Sequence, residues 1–131
     1  MSSEDIPVIA FSVGEEELSG MDTSGLVGHL AAWNYFMSVD TEENSQFINT
    51  WQKYIKDEKR VTNDPMEAHY IGFNMWVKAV TNAGTTAPEA IQDALIGVSV
   101  PNLTGGYSSM LPNHHITKPV LIGDSPSKDF L

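Results

Sequence analysis

A mixed α/β fold is predicted by this 131-residue sequence on three observations. Two short β-branched and aromatic runs, at 7–13 (PVIAFSV) and 29–37 (HLAAWNYFM), open the chain and read as strands. Between residues 47 and 95 the apolar positions recur at spacings of three and four, the helical period. Beyond residue 97 the period changes again, to short apolar runs separated by turn residues. The order β, β, α, α, α and then short strands describes three helices packed with small sheets.

Each element has its own signal. Residues 7–13 lie between Pro7 and Gly14 and form a buried strand. The segment 15–28 carries Glu15, Glu16 and Glu17 and then Gly, Asp, Thr and Ser, so it reads as a loop with one helical turn. In the second strand the period of two puts Ala31, Trp33 and Tyr35 on one face. Asp40 and Thr41 open the first long helix, whose Phe47, Ile48, Trp51, Tyr54 and Ile55 face a core. Residues 56–60 (KDEKR) are its solvated end, where cations suit the negative pole of the helix dipole.

The next helix has the clearest start. Asp64 reads as its cap, Pro65 suits a first-turn position and Glu67 completes a capping-box pattern. Ala68, Ile71, Gly72, Met75, Trp76, Ala79 and Val80 form its apolar stripe, and Gly84 stops it. A second box at Thr86-Ala87-Pro88-Glu89 opens a short helix running to Gly97. Three strand candidates follow, at 98–100, 107–111 and 119–122, with turns at Pro101-Asn102, Gly105-Gly106, Pro112-Asn113 and Gly123. Residues 124–131 read as a loose tail.

Composition excludes several function classes. Seventeen acidic residues stand against seven Lys and Arg, a formal net charge of −10. Such a surface repels phosphate backbones and anionic headgroups, so nucleic acid is not an expected partner. There is no cysteine, hence no disulfide, thiolate nucleophile or Cys-type zinc site. No apolar run approaches the roughly 20 residues of a membrane helix, so direct membrane insertion is not expected. The opening MSSED lacks the apolar core of a secretory signal, and the chain as written is expected in the cytoplasm.

No constellation reads as an active site. His114 and His115 are adjacent, so on an extended segment they point to opposite faces and do not chelate one ion together. The three glutamates at 15–17 suit a helix start better than acid–base work, which needs carboxyls in unlike environments. Gly105-Gly106 lacks a phosphate-cradle context, and Ser12 is outside a nucleophile-elbow pattern. No catalysis, metal or cofactor is expected.

Read in order, four segments resemble the C-terminal part of the urea-binding receptors of bacterial ABC transporters, relatives of amide and branched-chain amino acid receptors. They are PVIAFSVGEEELSG (7–20), VGHLAAWNYFMSVDTEEN (27–44), NDPMEAHYIGFNMWVKAVTNAGT (63–85) and VPNLTGGYSSMLPNHHITKPVLIG (100–123). The resemblance implies a partial type I periplasmic-binding-protein-like fold, with the N-terminal half of the family fold absent. Residues 1–131 are read as a single domain. By resemblance, 7–36 and 119–123 belong to the second lobe of a two-lobed receptor and 41–117 to the first, with a crossing near Ser38-Val39-Asp40.

The same resemblance places Ser12, Val13, Gly14 and Glu15 nearest a bound amide. It implies a fragment or truncated relative of a urea or amide receptor with an incomplete cleft, binding a small amide such as urea weakly if at all. The alternative is a repurposed oligomeric interaction protein with no solute-binding role. Self-association is expected on either reading, because a parallel sheet without its partner strands leaves open edges. Excised from a full-length receptor, the segment belongs in the periplasm.

Overall fold

Twenty consecutive residues from Asp64 to Ala83, whose one proline, Pro65, sits in the first turn where it costs no hydrogen bond, build the longest helix of the computed structural model, which describes residues 3–124. The chain order is β1 (Ile9–Ala10), α1 (Glu15–Ser19), β2 (Leu30–Trp33), α2 (Glu42–Ile55), α3 (Asp64–Ala83), α4 (Pro88–Leu95), β3 (Ser99–Pro101), β4 (Tyr107–Ser109) and β5 (Leu121–Asp124). The mixed α/β architecture stands as expected, with α1 supplying the single helical turn between the first two strands.

The strands form two small sheets. In the first, the order is β1-β2-β5, with β1 parallel to β2 and β5 antiparallel to it. Ile9 pairs with Leu30, and Ala31 pairs with Gly123. A Cβ at Gly123 would meet the Phe36 ring at 3.1 Å, so the absent side chain lets β5 lie against the chain leaving β2. The second sheet is the hairpin β3–β4, with Val100 opposite Ser108. The core sits between this hairpin and α3: Ile71 and Met75 meet Val98 and Val100, with Leu95, Met110 and Ile116 packed around them.

The caps differ from expectation in an instructive way. The cap of α3 is Asn63, whose Oδ1 accepts from the Met66 amide at 3.0 Å. Asp64 is the first helical residue instead, and its carboxylate is engaged elsewhere, by Lys118. Asparagine and aspartate cap almost equally well, so adjacent Asn-Asp is ambiguous from sequence. Gly84 ends the helix in the left-handed conformation at φ 66°, which a glycine adopts without a Cβ penalty. The box expected at Thr86 does not form: Ala87 is the cap of α4, and the Ala87 amide donates to Thr85 Oγ1 at 3.2 Å.

Two faces also need correction. On α3 the buried row is Glu67, Ile71, Met75 and Ala79, at strict four-residue spacing. Trp76 is 42% exposed and stacks on the 63%-exposed Phe73, at 5.9 Å between ring centroids. The helix is apolar nearly all round, so its pattern does not single out one face. On α2, Phe47, Ile48, Trp51 and Ile55 are half-buried, but Tyr54 is exposed. The strands are shorter than their apolar runs. Beyond Trp33 the chain departs from β5, so Ala32 and Tyr35 are buried and the expected Ala31–Trp33–Tyr35 face does not form.

Candidate ligand loop and crossing

Parallel pairing of β1 with β2 sends the loop 11–14 off the carboxyl end of the sheet, where solute sites of open α/β sheets lie. Of the four residues expected there, Ser12 is exposed, Val13 and Glu15 are half-buried and Gly14 is buried. Gly14 caps α1, and its amide donates to Glu17 Oε2 at 2.8 Å. A Cβ at Gly14 would sit 3.8 Å from the Trp33 ring, so loop and strand are in close contact.

The glutamates of α1 tie this loop to other parts of the chain. Glu15 Oε1 accepts from the Ser38 amide at 3.0 Å. Glu16 accepts from the Asn63 side-chain amide, so the residue that caps α3 also reaches α1. The candidate loop, the chain leaving β2 and the start of α3 therefore converge. Ser12 is exposed, while one Glu15 oxygen is already committed to the Ser38 amide.

Behind the loop lies a buried hydroxyl web that the sequence did not disclose. The Tyr35 hydroxyl is 2.7 Å from both Asn44 Oδ1 and Thr62 Oγ1. Asn44 then donates to the Met37 and Val39 carbonyls at 2.9 and 2.8 Å. Thus in the irregular chain at 34–40 the Met37 and Val39 carbonyls and the Ser38 amide are satisfied by side chains, and the Val39 amide turns back to the Phe36 carbonyl at 3.1 Å. Burial pushes the Tyr35 phenol well above its ordinary value of 10.0, and the nearby carboxylates of Glu15 and Glu67 push the same way.

A second buried cluster joins the return segment to α3. Lys118 Nζ lies 2.7 Å from Asp64 Oδ1 and 2.7 Å from Glu67 Oε2. The side chains of Lys118, Asp64 and Glu67 are 9%, 13% and 0% exposed. The ammonium is aligned on Asp64 as a hydrogen bond and meets Glu67 as a close ion pair, which compensates an otherwise unpaired carboxylate oxygen. Glu67 Oε1 accepts from the Leu103 amide at 3.0 Å. Two signals pointed here: Glu67 extends the buried row of α3 by one turn, and Lys118 is a lone charge in the apolar run ITKPVLI.

Elsewhere, a groove of about 520 Å³ opens between α2, α3 and β3, lined by Glu43, Tyr70, Asn74, Lys78, Asn102 and Tyr107. None of residues 12–15 lines it, and its ammonium, Lys78 Nζ, is bound to the Ser99 carbonyl at 3.0 Å. The loop at the strand ends is therefore the stronger candidate. His114 and His115 are both exposed, and among the described residues no three His, Asp or Glu side chains gather as a metal site. Among the same residues, no helix is long and apolar enough to cross a membrane.

Comparison with known proteins places this geometry. Residues 1–129 match the family model described as periplasmic binding protein domain. An amino acid ABC transporter substrate-binding protein from Pseudomonas fluorescens Pf-5 superposes with a TM-score of 0.76 at 20% identity, over 92% of this chain and 32% of that one. A solute-binding protein of an ABC transporter from Rhodopseudomonas palustris HaA2, in complex with p-hydroxybenzoic acid, gives a TM-score of 0.78 at 23% identity, over 93% of this chain and 33% of that one. A protein from Geobacillus stearothermophilus named limonene hydroxylase is 29% identical over 106 residues, 80% of this chain and 19% of its own length. This chain thus spans about a third of the solved relatives' length, and it belongs to the periplasmic binding protein domain family.

Proposed function

We propose that the chain is a portion of an ABC-transporter solute-binding receptor, and that Ser12, Val13, Gly14 and Glu15 face a small amide such as urea. The observation that carries this reading is the delivery of that loop by the parallel pair β1–β2, directly beside the chain leaving the sheet at Ser38. A hydroxyl, backbone amides and a carboxylate match the C=O and NH₂ groups of an amide. Binding, not catalysis, is the role, and no cofactor enters. By resemblance, residues 7–36 and 119–123 belong to one lobe and 41–117 to the other, and a complete receptor works in the periplasm.

Small-solute sites enclose most of their ligand with groups from several sides. The solved relatives are about three times longer than this chain. Alone, the 131 residues should therefore bind urea or acetamide weakly, with Kd about 1 mM or above, roughly −4 kcal/mol. Titration of each amide, followed through backbone amide shifts, tests this. Saturable millimolar shifts confined to residues 12–15 and 38 support the reading, and unmoved signals up to molar amide contradict it.

A second reading, self-association, is favoured by one surface. Tyr70, Phe73, Trp76 and Val77 are all exposed on α3, and residues 70–77 (YIGFNMWV) carry no charge. Contiguous apolar surface of this kind marks a contact site. Sedimentation at tens of micromolar should show a dimer that Phe73→Asp dissociates, while a compact monomer at that concentration removes the reading.

A further inference from the structure

We propose that the buried Lys118–Asp64–Glu67 cluster is an anchor. It makes the helical end of the return segment move as one with α3, and it confines bending to the residues just beyond it. The inference rests on the receptor reading only in giving the bend a purpose.

Two chain segments link the β1-β2-β5 sheet to the helices: residues 34–40, leaving β2, and residues 117–120, entering β5. They run together, since Asn34 Nδ2 donates to the Pro119 carbonyl at 2.7 Å. Their two ends are held differently. On the helical side, Thr117 is fixed by its amide to the Ser109 carbonyl at 3.0 Å, and its hydroxyl accepts from the Ser109 amide at 2.9 Å. Lys118 follows, with its ammonium on both carboxylates of the first turn of α3. Pro119 and Val120 come next and are both exposed.

The energetics favour a positional role. A buried ion pair contributes little net stability, because desolvation offsets the attraction, yet loss of one partner is strongly destabilising. Glu67 is fully buried and also holds the Leu103 amide, so one carboxylate fixes the Lys118 segment and the loop after β3 to a single helix turn. The outgoing segment is held on its helical side too, through Asn44 on the Met37 and Val39 carbonyls. On the return segment, any swing of the sheet relative to the helices is then left to Pro119–Val120.

Amide hydrogen exchange on the intact chain tests the anchor. Thr117 and Leu103 should exchange at least 100-fold more slowly than Val120, in step with the core of α3. Lys118→Met should speed Leu103 and Thr117 by at least 10-fold at pH 7, with Val120 unchanged. Lys118→Met with Glu67→Gln removes the unpaired charge and should restore slow exchange at pH 7 to within about 3-fold, which covers the case in which the single variant unfolds. Equal exchange at Thr117 and Val120, or a double variant as fast as the single, overturns the anchor. Neither result bears on amide binding at residues 12–15.

Discussion

Tyr35 shows how one side chain connects local geometry to a measurable property. Its neutral hydroxyl serves Asn44 and Thr62, and burial holds its folded pKa above the ordinary 10.0. The unfolded chain therefore ionises first, so stability from the neutral phenol is complete below pH 10 and declines as pH rises further. Tyr35→Phe should cost about 1–3 kcal/mol at pH 7, because it leaves buried polar partners unmatched. It should also flatten the alkaline side of the stability curve in urea melts at pH 8 to 11. An unchanged alkaline slope in the variant would show that the phenol is not the group responsible. At the start of α3, Asn63→Ala should cost about 1 kcal/mol through the lost cap. That variant also frees Glu16, which the same side chain holds.

Among the elements, α3 was the most legible and also the most misleading. Its start, its stop and most of its buried row were visible in Asn63 to Gly84, because caps and proline act locally. Its outward face was not. Trp76 and Met75 are neighbours in an all-apolar stretch, and only packing against the β3–β4 hairpin decides which of them is inside. Met75→Ala should therefore cost roughly 2–5 kcal/mol. Trp76→Ala should cost less, about 2 kcal/mol, in proportion to the part of the ring that is covered. Chemical denaturation of the two variants side by side checks the assignment, and a reversed order would restore the face that periodicity suggested. Strand lengths were overread for a related reason. An apolar run such as 7–13 continues past the point where a partner strand is available, and β1 pairs with β2 over Ile9 and Ala10 alone. Polar links such as Glu67–Lys118 span 51 positions of sequence and leave no periodic trace.

At the scale of the whole molecule, apolar periodicity gave the α/β class, and the resemblance read from four segments gave the family, which composition and periodicity alone did not supply. The solute proposed for this chain rests on that resemblance, because the backbone amides and common side chains at 12–15 suit many small molecules. What closes the fold is the return of residues 121–124, after the helices, to pair with the second strand. Without that return, the crossing segments have no common sheet to reach and the candidate loop loses its support. Cross-strand proton contacts in solution test this most directly. Close approaches are expected between Ala31 and Gly123 and between Trp33 and Leu121, together with parallel contacts between Ile9 and Leu30. Intact helices α2 to α4 with those three contacts absent would contradict it.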